Sequence, residues 1–241
     1  MNYNKLISEF DRLINSEQFE LAGKILEDSK TTIDCIDKDF LLAINNELIG
    51  FYRKQNDKIR CLSTINETLT ILNAIKNKKT EFYGTIYLNI ATGYSAFNCI
   101  QQAEENFIKS ELIFQDVLDV YDSKLGALYN NFASIYLLKN EPLKARDYYQ
   151  KSILLAEKNN NKLYKAQSLV NITYTYNIVN DDKIIEELLD NANKLFFDND
   201  IIKDKETSFI YKKYAKDFAY YGYFLVEEEL LNRAKEIDER Y

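Results

Sequence analysis

The sequence predicts an all-α fold of about six stacked helix pairs, and three observations carry that prediction. Only one proline and six glycines occur in 241 residues. That is too few for the tight turns of a sandwich or barrel, but ample for helices joined by short polar links. Four stretches recur: NELIGFY at 46–52, LNIATGY at 88–94, NNFASIY at 130–136 and VNITYTY at 170–176, spaced 42, 42 and 40 residues apart. After each comes a polar break, then apolar residues four and three apart that share one helical face.

The second helix of each pair follows from that spacing. In QQAEENFIKSELIF the face is Ala103, Phe107 and Ser110; in LKARDYYQKSILLA it is Ala145, Tyr149 and Ser152; then come Ile185, Leu189 and Ala192. Two looser copies extend the array. Leu6, Phe10, Leu13, Ala22, Leu26 and Ser29 keep the frame at the N-terminus, and Ala215, Phe218, Gly222, Leu231 and Ala234 keep it at the C-terminus. Units thus begin near 3, 42, 84, 126, 166 and 208, and the whole of 1–241 reads as a single repeat domain. Asp37, Thr80, Ser123, Asn161 and Asp204 each precede an apolar-periodic run and are expected to cap a first helix. Pro142 opens a second helix, where its missing N–H is of no consequence. The last helix, about 224–240, is expected to act as a cap, with Leu230, Leu231, Ala234 and Ile237 facing inward and charge elsewhere.

Within one unit the order of large and small residues resembles the tetratricopeptide repeat. The third unit carries it in Tyr87, Ile90, Ala91, Tyr94, Ala103, Phe107 and Ser110, the fourth in Tyr129, Phe132, Ala133, Tyr136, Ala145, Tyr149 and Ser152. The period of 39–42 exceeds the usual 34, and the closing proline is absent. The longer repeats of kinesin light chains and bacterial peptide-sensing regulators are similar. The resemblance implies an α-solenoid wound as a right-handed superhelix, with first helices lining a concave groove and second helices covering the convex face. Small residues belong where the paired helices cross closely.

Composition excludes several function classes. A net charge of −7 opposes nucleic acid as the main partner, and most of the nineteen tyrosines and fourteen phenylalanines fall at core positions. No histidine is present, and neither GxGxxG nor GxxxxGK[ST] occurs. That removes His-based acid–base and nucleophile chemistry, HExxH zinc sites and phosphate-cradling loops. Catalytic residues, metal ligands and cofactors are therefore expected to be none. Carboxylate runs such as Glu227–Glu229 read as a solvated face. Cys61 falls at a small-residue crossing position, Cys35 in a link and Cys99 in a turn, an odd set without CxxC that suits reduced thiols in a cytoplasm. The polar N-terminus offers no signal peptide, and no apolar run reaches the ~20 residues of a membrane span.

The resemblance places the residue before the Leu-type core position on the groove: Asn89, Asn131 and Asn171. A ladder of amides, each with donors and an acceptor, suits the main chain of an extended peptide. The plainer reading is that these asparagines bond neighbouring helices or water. Lys212, Lys213 and Lys216 in the last unit, and Arg53 and Lys54 in the second, would make basic ends for an acidic side chain or chain terminus. The expected function is a non-enzymatic scaffold that binds a protein or extended peptide, with neither nucleic acid nor membrane as partner. The oligomeric state stays open. Two alternatives are a receptor for a small signalling peptide without a DNA-binding domain of its own, and a self-assembling structural protein.

Overall fold

A computed structural model describes residues 3–31 and 37–240. Among the described residues there are twelve α-helices and no strand. They fall into two compact units, 1–118 and 119–241. The first holds α1 (Tyr3–Asn15), α2 (Phe19–Thr31), α3 (Lys38–Lys54), α4 (Lys58–Asn73), α5 (Glu81–Ala96) and α6 (Ile100–Val117). The second holds α7 (Ser123–Leu138), α8 (Pro142–Lys158), α9 (Lys162–Asn177), α10 (Asp182–Phe196), α11 (Lys205–Tyr220) and α12 (Phe224–Asp238). In each unit, consecutive helices pair into three hairpins, and the first helices of neighbouring hairpins also touch.

One turn chemistry closes every hairpin. A residue in the left-handed region ends each first helix: Glu17, Asn56, Asn98, Asn140, Asn180 and Gly222, with φ between 53° and 84°. The next N–H then reaches back to a carbonyl five residues earlier, as from Asp57 to Tyr52 (2.8 Å), Cys99 to Tyr94 (2.9 Å) and Glu141 to Tyr136 (2.8 Å). This satisfies helix-end carbonyls that burial would otherwise leave unpaired. Asparagine tolerates this conformation better than most residues because its short amide bonds locally.

The crossings are as tight as the small residues require. Ser110 Oγ donates to the Gly84 carbonyl at 2.8 Å and Ser152 Oγ to that of Gly126 at 2.9 Å, 26 residues apart in both cases. Cys61 is fully buried, its Sγ 3.6 Å from the Ile49 carbonyl, and burial pushes its thiol up to about 11. It packs as a small apolar residue. Cys99 is half-buried, and Cys35 lies outside the described residues.

Several local expectations need correction. Thr80 makes no side-chain capping bond. At α7 the cap is Asp122, which accepts from the Lys124 N–H at 2.8 Å, and Ser123 is the first helical residue. On α12 the core face is Leu230, Ala234 and Ile237, whereas Leu231 is 43% exposed. The four-then-three spacing beginning at Leu230 wins because it keeps all three residues on one side. Among the described residues, no helix is long and apolar enough to cross a membrane.

Candidate binding faces of the first helices

In unit 2 the first-helix faces of α7, α9 and α11 carry a connected polar surface. Asn171 donates from Nδ2 to Asn130 Oδ1 at 3.0 Å and to the Tyr214 hydroxyl at 3.0 Å. One helical turn along, the Tyr174 hydroxyl donates to Asp217. Thr173 Oγ1 donates to the Tyr221 hydroxyl at 3.1 Å, and Asn177 Nδ2 to that of Tyr220 at 3.2 Å. Burial raises the Asp217 carboxyl, against the opposing effects of the Tyr174 hydrogen bond and the Lys213 charge. It also pushes up the phenols of Tyr174 and Tyr214. Tyr174 thus stays protonated as the donor to Asp217, and the neutral Tyr214 hydroxyl accepts from Asn171.

In unit 1 the corresponding bond runs from Asn89 Nδ2 to Asn46 Oδ1 at 2.8 Å. Asn46 and Asn130 stand one place before the expected groove position, in successive-repeat register with Asn89 and Asn171. Two of the three expected ladder asparagines are therefore spoken for on one side by the repeat before. Asn131 differs: among the described residues its amide has no hydrogen-bond partner. The signal for the bonded pairs was in the sequence, since NELIGFY and NNFASIY both begin with Asn and the other two stretches do not.

The expected basic ends divide. Lys212 pairs with Asp238 of α12, so it ties the last hairpin together. Lys213 lies over the Tyr214 ring, 4.8 Å from its centroid, and donates to its hydroxyl at 3.4 Å. Lys216 is exposed. In unit 1, Lys54 is exposed and Arg53 is half-buried; no ion pair or side-chain hydrogen bond joins Arg53 to another described residue. Glu47, on the same helix, accepts from the Tyr3 hydroxyl at 3.4 Å; burial and then the Asp11 charge raise its carboxyl, and the Tyr3 phenol is pushed up to about 12. No group of His, Cys, Asp and Glu among the described residues could hold a metal ion.

No protein-family model matches the sequence, and comparison with characterised proteins finds no sequence relative. Solved structures do match. The chain is similar to BtubC (BKLC) from P. vanneervenii at 17% identity and a TM-score of 0.61, over 94% of this chain and 91% of that one. Nearly identical TPR-like repeats related to kinesin light chain, from Podosopora anserina, match at 14% identity and a TM-score of 0.59, over 83% and 95%. A Rap protein complexed with Competence and Sporulation Factor matches at 12% identity and a TM-score of 0.58, over 98% of this chain and 65% of that one. At such identities the likeness is one of fold.

Proposed function

From a chain with the tetratricopeptide-like repeat fold, we propose a non-enzymatic scaffold that binds a protein or an extended peptide on its first-helix faces. The observation that carries this reading is Asn131, a partly exposed residue on α7 whose amide has no hydrogen-bond partner among the described residues. Beside it on the same face, Asn171 spends its Nδ2 on Asn130 and Tyr214, which fixes its orientation and leaves Oδ1 to accept. In unit 1, Asn89 is held in the same way by Asn46. Oriented amides on a helical face suit a main chain of any sequence, because the peptide group supplies both an acceptor and a donor. The Rap protein complexed with Competence and Sporulation Factor is one protein of this fold solved with a bound factor. Lys213 and Lys216 give the unit 2 face a positive end for an acidic stretch of that ligand.

The test is a selection of random linear peptides on the full chain, followed by titration of the selected peptides against Asn131→Ala. Binding should weaken by about 1 kcal/mol or more, since a buried peptide group would lose its partner. Equal affinity for wild type and a normally helical Asn131→Ala protein would overturn this assignment.

A further inference from the structure

Unit 2 exposes an apolar edge that its packing does not require. Two residues before the left-handed residue of each hairpin turn, unit 2 carries Leu138, Ile178 and Tyr220, whereas unit 1 carries Asn15, Lys54 and Ala96. All six are exposed. The repeat thus accepts polar or small residues in this column, and the apolar choice in unit 2 does not serve the core. The same three turns add Leu143, Val179, Phe224 and Leu225, exposed by 71%, 58%, 65% and 83%.

The turns lie side by side. Asn177 Nδ2 donates to the Tyr220 hydroxyl at 3.2 Å, which sets the ends of α9 and α11 abreast. Arg146, one turn into α8, donates to Thr175 and lies over the Tyr176 ring, which brings the α7–α8 turn beside the end of α9. Together these seven residues present on the order of 800 Å², the share each partner contributes to a standard protein–protein interface. The largest apolar patch on a typical monomer is smaller, about 300–600 Å².

Charge along the edge identifies what fits it. At one end, residues 138–144 hold Lys139 and Lys144 around a single carboxylate, Glu141. At the other, residues 220–228 hold Glu227 and Glu228 and no cation. The Tyr223 phenol is raised by burial and then by Asp190 and Glu186, which places two more carboxylates beside that end. In the middle turn, Asp181 caps α10, and the exposed Asp182 and Lys183 offset each other. A strip that is basic at one end, acidic at the other and apolar between is complementary to itself about a two-fold axis.

We infer that this edge is the contact between two copies of the chain, related by a two-fold axis at the α9–α10 turn. Ile178 and Val179 then meet their own counterparts, and the lysines of the α7–α8 turn face Glu227 and Glu228 of the other copy. Such a contact is closed, so it makes a pair and not a filament. The sequence leaves the oligomeric state open; the edge gives it a surface, a symmetry and a stoichiometry. It uses turn residues, not the first-helix faces, and stands independently of the peptide-binding reading.

The test is sedimentation velocity of the full chain over a concentration series. Wild type should pass from monomer to dimer below about 0.5 mM. Val179→Asp sets like charges against each other at the axis and should stay monomeric, with wild-type helicity and urea midpoint. Lys139→Glu with Lys144→Glu makes a protein acidic at both ends; Glu227→Lys with Glu228→Lys makes one basic at both ends. Each alone should raise the dimer dissociation constant about tenfold or more. An equimolar mixture of the two should regain wild-type association, because opposite charges meet again, and high salt should shrink both effects. A wild type still monomeric at that concentration would overturn the inference. So would a dimer that Val179→Asp leaves intact, or charge variants that associate no better mixed than alone. Mass that keeps growing with concentration would overturn it in favour of an open, head-to-tail contact.

Discussion

Two arginines at different places in the repeat, Arg146 on a second helix and Arg53 at the end of a first helix, contrast the two units. In unit 2, Arg146 lies 3.8 Å from the centroid of the Tyr176 ring and donates to the hydroxyl and the carbonyl of Thr175, both at 3.3 Å. In unit 1, Arg53 ends α3 one turn from Gly50, and no ion pair or side-chain hydrogen bond joins it to another described residue. The first-helix face of unit 2 is tied across α7, α9 and α11 by Asn, Tyr, Thr and Asp side chains as far as the ends of α9 and α11. That of unit 1 is tied from Tyr3 to Glu47, Tyr83 to Asp39 and Asn89 to Asn46, with no such bond among the described residues at Gly50 or Arg53. The difference teaches that the repeat frame dictates packing and leaves the polar face open. Where neighbours satisfy one another the face is rigid and pre-ordered. Where they do not, a polar group is left without a partner among the described residues, as at the buried amide of Asn45, and that unpaired polarity is a cost to the fold.

The largest expected effect tests the packing half of that statement. Gly84 and Gly126 occupy equivalent crossings and accept equivalent serine bonds. A Cβ on Gly84 would stand 2.4 and 2.5 Å from ring atoms of Phe114, yet one on Gly126 would meet only Leu155 Cβ at 3.6 Å. Gly84→Ala should destabilise by about 2–3 kcal/mol through overpacking. Gly126→Ala should be neutral or stabilise by up to ~1 kcal/mol, since alanine favours the helix. Urea unfolding of both proteins checks this, and equal losses would show that the crossings are not distinguished as the structure has them.

A second, smaller effect concerns buried polarity in unit 1. Asn45 is fully buried, and among the described residues neither atom of its amide has a hydrogen-bond partner. Tyr87, Leu169 and Tyr211 fill the equivalent place in other repeats. Asn45→Leu should raise stability by about 1–3 kcal/mol, the desolvation cost of an unpaired amide. A loss in urea unfolding would point to a hydrogen-bonded role for Asn45.

The titrating groups sharpen the comparison further. Asp217 in unit 2 and Glu47 in unit 1 both have raised pKa values, chiefly from burial. A carboxyl raised in the folded state binds its proton more tightly there than in the unfolded chain. Its contribution is therefore fully present below the unfolded value and lost as pH rises through the folded one. Starting near pH 4, urea midpoints should fall with rising pH on this account, and Asp217→Asn or Glu47→Gln should each flatten part of the slope. Tyr174→Phe removes a bond that lowers the Asp217 pKa, so it should steepen and extend the decline. Slopes unaltered in all three proteins would exclude both carboxyls as its source.

Much of this was legible in the sequence, and the reasons it stopped are physical. The hairpins were readable because Tyr87, Ile90, Ala91 and Tyr94 must be buried wherever the repeat stacks, and all four are. The turns were readable in principle: five of the six residues with left-handed backbone at the hairpins are Asn or Gly at nearly constant spacing. Leu231 misled because α12 has apolar residues at both 230 and 231, and only packing decides between them. The polar faces were half legible. Recurrence located Asn89, Asn131 and Asn171, but the engagement of Asn89 and Asn171 depends on a different column, where Asn46 and Asn130 supply the accepting amide oxygen. Lys212 belonged to the same run as Lys213, and only the position of Asp238 separates them.

The smallest expected effect on stability is the one that matters most for binding. Asn171→Ala removes hydrogen bonds to Asn130 and Tyr214, the latter deeply buried, and should cost about 1–2 kcal/mol. Asn131→Ala removes none and places a better helix former on α7, so its stability should lie within about 0.5 kcal/mol of wild type. The two amides stand at the same repeat position, one bound by its neighbours and one unbound. If the unbound amide serves a ligand, Asn131→Ala should lose affinity for selected peptides without losing stability, while Asn171→Ala loses both. Urea midpoints and peptide titrations on the two proteins separate these outcomes. A substantial stability loss in Asn131→Ala would mean that its amide is already engaged inside the fold, and the binding surface would then have to be sought among the side chains beside it.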